Sequence, residues 1–242
     1  MEQRNRGFAG ELRASGELGR LMANPIWYGA GAPRGDGRPV LVLPGLFGND
    51  LYLMPLHGWL MRLGYRPVLS TLAVNAGCPE TLRGSAQRSL EAQLRPGQRA
   101  AIIGHSRGGM LGWAMAAALG ERISQLVLLG SPAAAVASMM SRGSIDPTGV
   151  AASRVAEASN VARRILSPRC NVPECGCPYV TDMRRPLNGA TKVTSIYSTE
   201  DPIVPASACR VMGAENIEVR GSHSGLAQNV EVYRALARVL AT

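Results

Sequence analysis

Gly104-His105-Ser106-Arg107-Gly108 places a serine midway between two glycines. A serine hydroxyl is a weak nucleophile at neutral pH and needs a base within reach to take its proton. The chain has three histidines, His57, His105 and His223. His105 adjoins Ser106, so its side chain is expected to point away, and His57 lies in a helical stretch far from any strand end. His223 remains, in the Ser/Gly-rich loop Gly221-Ser222-His223-Ser224-Gly225. The base in turn needs a carboxylate to fix its tautomer and orientation. Asp201, in Ser198-Thr199-Glu200-Asp201-Pro202-Ile203-Val204, is best placed, because it follows a strand and its proline forces a turn. Glu200 and Asp182 are the alternatives. Stabilising an oxyanion takes backbone N–H donors. Arg107 supplies one, and the loop Leu43–Asp50 supplies the other, through Leu46 in preference to Phe47.

The pentapeptide says little by itself in a chain of 28 glycines, so its setting decides. Ala100–Gly104 reads as a buried strand and Arg107–Leu119 as the helix after it, the strand–turn–helix in which a serine is held out on a sharp turn. Glycines two before and two after let helix and strand backbones approach. Further short apolar runs read as strands at Val40–Leu43, Pro67–Leu69, Ile123–Gly130, Val193–Ser198 and Glu215–Arg220. Helical patterns fall at Asp50–Leu63, at Pro79–Leu94 behind an opening proline, and at Leu226–Leu240. Six continuous apolar strands alternating with helices mean an α/β protein, with a mostly parallel sheet covered on both faces. His223 and Asp201 then follow strands at the carboxyl edge, where open α/β sheets carry their sites.

Two stretches stand apart. Residues 1–37 are polar and Gly-rich, with a Gly/Pro cluster at their end, and read as an N-terminal arm before a single domain at 38–242. Residues 131–190 separate two strands by far more than a simple connection needs. They read as a cap insertion with a polar helix near Val150–Leu166 and a cysteine cluster.

At these residues the chain resembles the α/β-hydrolase superfamily, in particular its compact bacterial lipase- and esterase-like members. Four features carry the resemblance in the family's order: Leu43-Pro44-Gly45-Leu46-Phe47-Gly48, the Gly104–Gly108 elbow, Tyr197–Val204, and Gly221–Gly225. The resemblance covers Val40 to Leu240 and implies a triad of Ser106, Asp201 and His223 that cleaves carboxylic esters through an acyl-enzyme, with no cofactor. A thioesterase, an acyltransferase and a non-hydrolytic binder are the competing readings, because fold does not fix function. The chain departs from the family at Pro44-Gly45, where many relatives have His-Gly, and at Arg107, where many have a small or apolar residue. The family's first antiparallel strands are not recognisable, which suggests a trimmed sheet.

The 242 residues are 46% hydrophobic and 18% charged, which suits one globular domain and excludes disorder. The longest apolar stretches, Met110–Leu119 and Leu126–Ala137, are too short and too broken to cross a membrane. No signal-peptide pattern opens the chain, so a cytoplasmic protein is expected, with the cysteine cluster leaving secretion open. Net charge is +9, and all but one of the 26 basic residues are arginine. These are dispersed and only 5% of residues are aromatic, which argues against a nucleic-acid partner and leaves weak attraction to anionic surfaces. The expected partner is a small ester, with an apolar acyl group suggested by Leu46, Phe47 and the Ala/Val/Met-rich insertion. Of the five cysteines, Cys170, Cys175 and Cys177 lack zinc-ligand spacing unless Cys78 or Cys209 joins them. In an oxidising compartment a bridge from one of the three to Cys209 is expected, and reduced thiols otherwise.

Overall fold

The computed structural model describes residues 14–142, 154–172 and 174–242. Six strands form one sheet: β1 (Pro39–Leu43), β2 (Arg66–Val68), β3 (Ala100–His105), β4 (Ile123–Leu129), β5 (Lys192–Ser198) and β6 (Glu215–Val219). Their order is β2-β1-β3-β4-β5-β6 and every pairing is parallel. The described helices are α1 (Ala14–Met22), α2 (Met54–Leu63), α3 (Pro79–Glu91), α4 (Arg107–Leu119), α5 (Ala133–Arg142), α6 (Arg154–Leu166), α7 (Pro178–Arg184), the single turn α8 (Ala206–Cys209) and α9 (Val230–Val239).

Both faces of the sheet are apolar because both are covered. On one side Val40, Val42, Ala101, Ile103, Val127, Leu129 and Ile196 meet Trp59 and Leu60 of α2 and Tyr233 and Leu236 of α9. On the other, Leu41, Leu43, Ile102, Leu126 and Leu128 meet α3, α4 and α7. The period of two along each strand thus divides the core, as a pleated strand requires. Burying a side chain such as Leu41 or Leu60 completely is worth roughly 1.5–3 kcal/mol, and dozens are buried here.

Leu21 of α1 and Ile26 are buried in the first of these clusters, so the stretch before Pro39, from Ala14 onward, packs on the sheet. Within 131–190, Tyr179, Val180 and Met183 of α7 belong to the second cluster, and α6 begins at Arg154, with residues 150–153 outside the described set.

Two expected helices prove to be broken. Asp50–Leu63 divides into a 3-10 turn, Asp50–Leu53, and α2. Pro55 lacks the N–H that a helix interior needs but is tolerated in a first turn, so α2 starts just ahead of it. Leu226–Leu240 likewise divides at Asn229, whose side chain accepts from the Glu231 N–H (2.8 Å) and the Val232 N–H (3.3 Å) and caps α9. No helix among the described residues is long and apolar enough to cross a membrane.

The register aligns the carboxyl ends of five strands, β1, β3, β4, β5 and β6. Leu43 pairs with Gly104, His105 with Leu129, Leu129 with Ile196, and Ser198 with Val219. The loops after β1, β3, β5 and β6 therefore leave the same edge, close to where the strand order reverses between β1 and β3.

Candidate active site

Ser106 is the turn between β3 and α4. It holds φ 51° and ψ −120°, a left-handed-side conformation that a non-glycine residue adopts only under strain. Its backbone is pinned by an N–H bond to the Leu129 carbonyl (2.8 Å). The flanking glycines are required by contact: a Cβ on Gly104 would lie 2.5 Å from the Gly109 Cα, and one on Gly108 would lie 2.4 Å from the Leu43 carbonyl oxygen. Helix and strand meet closely enough only because both positions lack a side chain.

The loops after β5 and β6 bring the other two residues to Ser106. His223 Nε2 lies 2.9 Å from the Ser106 hydroxyl, and His223 Nδ1 lies 2.6 Å from Asp201 Oδ2. The imidazole and the carboxylate are both almost fully buried. Asp201 is aimed by its own turn: Oδ1 accepts from the Ile203 N–H (2.8 Å) and the Val204 N–H (2.9 Å), which leaves Oδ2 for the imidazole. The two alternative carboxylates lie elsewhere. Glu200 is exposed, and Asp182, in α7, is paired with Arg83 (3.4 Å) and Arg185 (3.2 Å).

His105 is closer to this arrangement than its sequence position suggests. Its Nε2 lies 2.9 Å from the His223 carbonyl, and the two rings are 4.9 Å apart. A carbonyl only accepts, so Nε2 carries the proton. Complete burial, reinforced by His223, pushes the His105 pKa down to about 3 and keeps the ring neutral. The loop after β6 is also held by Tyr52, whose hydroxyl donates to the Ser224 carbonyl. His57, buried in α2, is not part of this group.

The loop after β1 is bound to a second loop through Asn75. The Asn75 amide donates to the Pro44 carbonyl (2.7 Å), its N–H donates to the Gly48 carbonyl (2.9 Å), and its carbonyl accepts from the Phe47 N–H (3.1 Å). Phe47 is held at φ 61°. The Phe47 N–H is thus engaged within this loop pair, whereas the Leu46 N–H has no loop or turn acceptor among the described residues. The Arg107 side chain turns away from Ser106 into a buried clamp. Its guanidinium donates to Asn75 Oδ1 (3.1 Å), to the Gly77 carbonyl (2.7 Å) and to the Ser159 hydroxyl of α6. Burial lowers its pKa, yet an arginine stays charged. The unusual residue after the serine thus joins the elbow, the Pro44–Gly48 loop and the insertion. Asn75 and Tyr52 carry no motif, and only their distant partners reveal them.

Of the two states expected for the cysteines, a bridge to Cys209 or reduced thiols, the structure has the second. All five thiols are free. Cys209 is buried against Tyr197, Val204 and Ala208, and its pKa is pushed up to about 12 by burial and by Asp201. Cys170 lies beside Cys78 and Cys177 beside Cys175, and burial pushes the thiols of Cys170 and Cys177 up. Among the described residues no three His, Cys, Asp or Glu side chains are grouped to hold a metal ion.

A family model described as alpha/beta hydrolase fold matches residues 85–166, which include the elbow and α6. Solved structures match over most of the chain. A metagenomic carboxyl esterase superposes with TM-score 0.57 at 12% identity, over 87% of this chain and 76% of its own. Polyneuridine aldehyde esterase superposes with TM-score 0.54 at 16% identity, over 84% of this chain and 99% of its own. The chain has the α/β-hydrolase fold. A monoacylglycerol lipase of Paleococcus ferrophilus gives TM-score 0.50 at 18% identity, over 86% of this chain and 96% of its own. No curated protein matches the sequence. At these identities the α/β-hydrolase likeness is one of fold, and the chemistry rests on the residues themselves.

Proposed function

We propose that this protein is a serine hydrolase of carboxylic esters, with Ser106, His223 and Asp201 as its triad. The observation that carries this reading is the continuous relay from the Asp201 carboxylate through the imidazole to a serine on a strained elbow. Ser106 Oγ attacks the ester carbonyl while His223 Nε2 takes its proton, and the same nitrogen then protonates the departing alcohol. Asp201 holds the Nδ1–H tautomer and stabilises the imidazolium. The Leu46 and Arg107 N–H groups receive the negative charge on the carbonyl oxygen. Water, activated by His223, attacks the acyl-enzyme and releases the acid. This sequence of steps calls for no metal or organic cofactor.

An apolar acyl group suits the surroundings. Phe47 is 55% exposed at the end of the Leu46 turn, and Leu51 and Val74 are exposed next to residues of the same two loops. We read 131–190 as the cap, with α6 tied to the elbow by the Arg107–Ser159 bond. The test is turnover of a chain-length series of 4-nitrophenyl esters by the protein and by Ser106→Ala. The expected result is hydrolysis that the substitution reduces to background. Equal turnover by the variant, or none by the folded protein across the series, would overturn the proposal.

A further inference from the structure

Glu17 lies more than 200 residues from His223 in the chain, yet its carboxylate is buried beneath the loop that carries His223. In α1, Glu17 and Leu21 are one turn apart and share a face, and both are buried. Glu17 Oε1 accepts from the Ser222 N–H (3.0 Å) and the Ser222 hydroxyl (3.3 Å), and Oε2 accepts from the Asn229 amide (3.4 Å). The loop closes tightly over it. A Cβ on Gly225 would lie 2.1 Å from Glu17 Oε2, and one on Gly221 would lie 3.3 Å from Oε1. The Ser/Gly composition of this loop therefore fits the acid beneath it.

We propose that Glu17 is a positioning residue of the active site, a carboxylate supplied by the N-terminal helix that fixes the backbone on either side of His223. A buried carboxylate is costly unless donors satisfy it. Its donors here come from the loop and from Asn229, which itself donates to the Arg220 carbonyl (2.7 Å) at the loop's start. The carboxylate is satisfied in this loop conformation and would lose its donors in one displaced from it. His105 and Tyr52 hold the His223 and Ser224 carbonyls, whereas Glu17 holds the Ser222 amide on the other side of His223. The imidazole must meet Asp201 at 2.6 Å and Ser106 at 2.9 Å together, and a displacement of about 1 Å at such a centre can cost 100-fold in rate. None of the groups that Glu17 bonds is among those proposed to receive the substrate. Its loss should therefore lower kcat and leave KM alone.

The inference rests on the hydrolase reading, and the test separates the two. Glu17→Ala and Glu17→Gln are made in the full chain. Their kcat and KM on 4-nitrophenyl butyrate are normalised to active sites titrated with a fluorophosphonate. The far-downfield proton resonance of His223 Nδ1–H is recorded, and thermal unfolding is followed. The expected result is a fall in kcat of about 10- to 100-fold for Glu17→Ala with KM within about twofold, and a broadened or absent downfield resonance in folded protein. Glu17→Gln keeps an acceptor for the Ser222 N–H but turns an NH2 group toward the Asn229 amide, so it should fall between. Wild-type kcat per titrated site in Glu17→Ala, or a change confined to KM, would overturn the inference and leave the triad standing. Should Glu17→Ala fail to fold, wild-type kcat in folded Glu17→Gln would overturn it too. A wild-type protein that neither turns over ester nor labels at Ser106 would overturn both proposals.

Discussion

His105 makes the stability of this protein depend on pH in a way that can be calculated. In the folded state its pKa is pushed down to about 3, while an unfolded histidine keeps the ordinary 6.5. The unfolded chain therefore takes up a proton at this site as pH falls below 6.5, and the folded chain does not until near 3. Stability from the neutral ring is present above 6.5 and is lost as pH falls through that window, at a limiting slope of about 1.4 kcal/mol per pH unit. Between pH 7 and pH 5 the loss from this one group comes to about 2 kcal/mol. The perturbation is His105→Gln, a side chain that can still donate to the His223 carbonyl but does not titrate. Urea unfolding of both proteins at pH 7, 6 and 5 gives the comparison, in which other titrating groups, the buried His57 included, largely cancel. The wild type should lose about 2 kcal/mol more than His105→Gln over this range. Parallel stability curves for the two proteins would refute the reasoning, because they would mean that His105 is hydrated or can be protonated in the folded state.

Other substitutions test other contacts. Asp201→Asn should lower kcat roughly ten-thousand-fold by presenting the wrong tautomer to Ser106, with a thermal midpoint close to wild type, as steady-state kinetics and calorimetry will show. Asn75→Ala removes the bonds to the Pro44 carbonyl and to Arg107, so kcat should fall about 10- to 100-fold, and affinity for a trifluoromethyl ketone, whose adduct carries an oxyanion, should fall in parallel. Gly108→Ala forces a Cβ to within 2.4 Å of the Leu43 carbonyl oxygen and should destabilise the fold by several kcal/mol in denaturant titration. Under native conditions an aromatic disulfide reagent should reach Cys78, Cys170, Cys175 and Cys177 well before the buried Cys209, as peptide mass spectrometry over time will show.

The strands were legible because a sheet covered on both faces makes runs such as Ala100–Ile103 and Leu126–Leu129 apolar throughout. The elbow was legible because close approach of helix and strand forces glycine at 104 and 108. Asp201 could be preferred to Glu200 because Pro202 sets the turn that aims it. What escaped was carried by single polar residues with remote partners. Glu17 bonds Ser222 across a separation of 205 residues, and nothing local in α1 marks it. Asn75 lies in an ordinary-looking turn, although three of its groups hold the Pro44–Gly48 loop. Arg107 stood out as an anomaly, but its direction depends on where Gly77 and Ser159 come to rest. His105 was expected to point away, and it instead supports the His223 carbonyl, because the loop after β6 folds back over the end of β3. The broken helices followed local rules at Pro55 and Asn229 that the longer apolar period had masked.

The central claim is that Ser106 is a nucleophile activated by His223. Labelling the intact protein with a fluorophosphonate and locating the adduct by peptide mass spectrometry tests it most directly. The account predicts one adduct, on Ser106, absent in His223→Ala and much slower to form in Asp201→Asn. An adduct on another residue, undiminished labelling in folded His223→Ala, or no adduct from folded wild-type protein would contradict it.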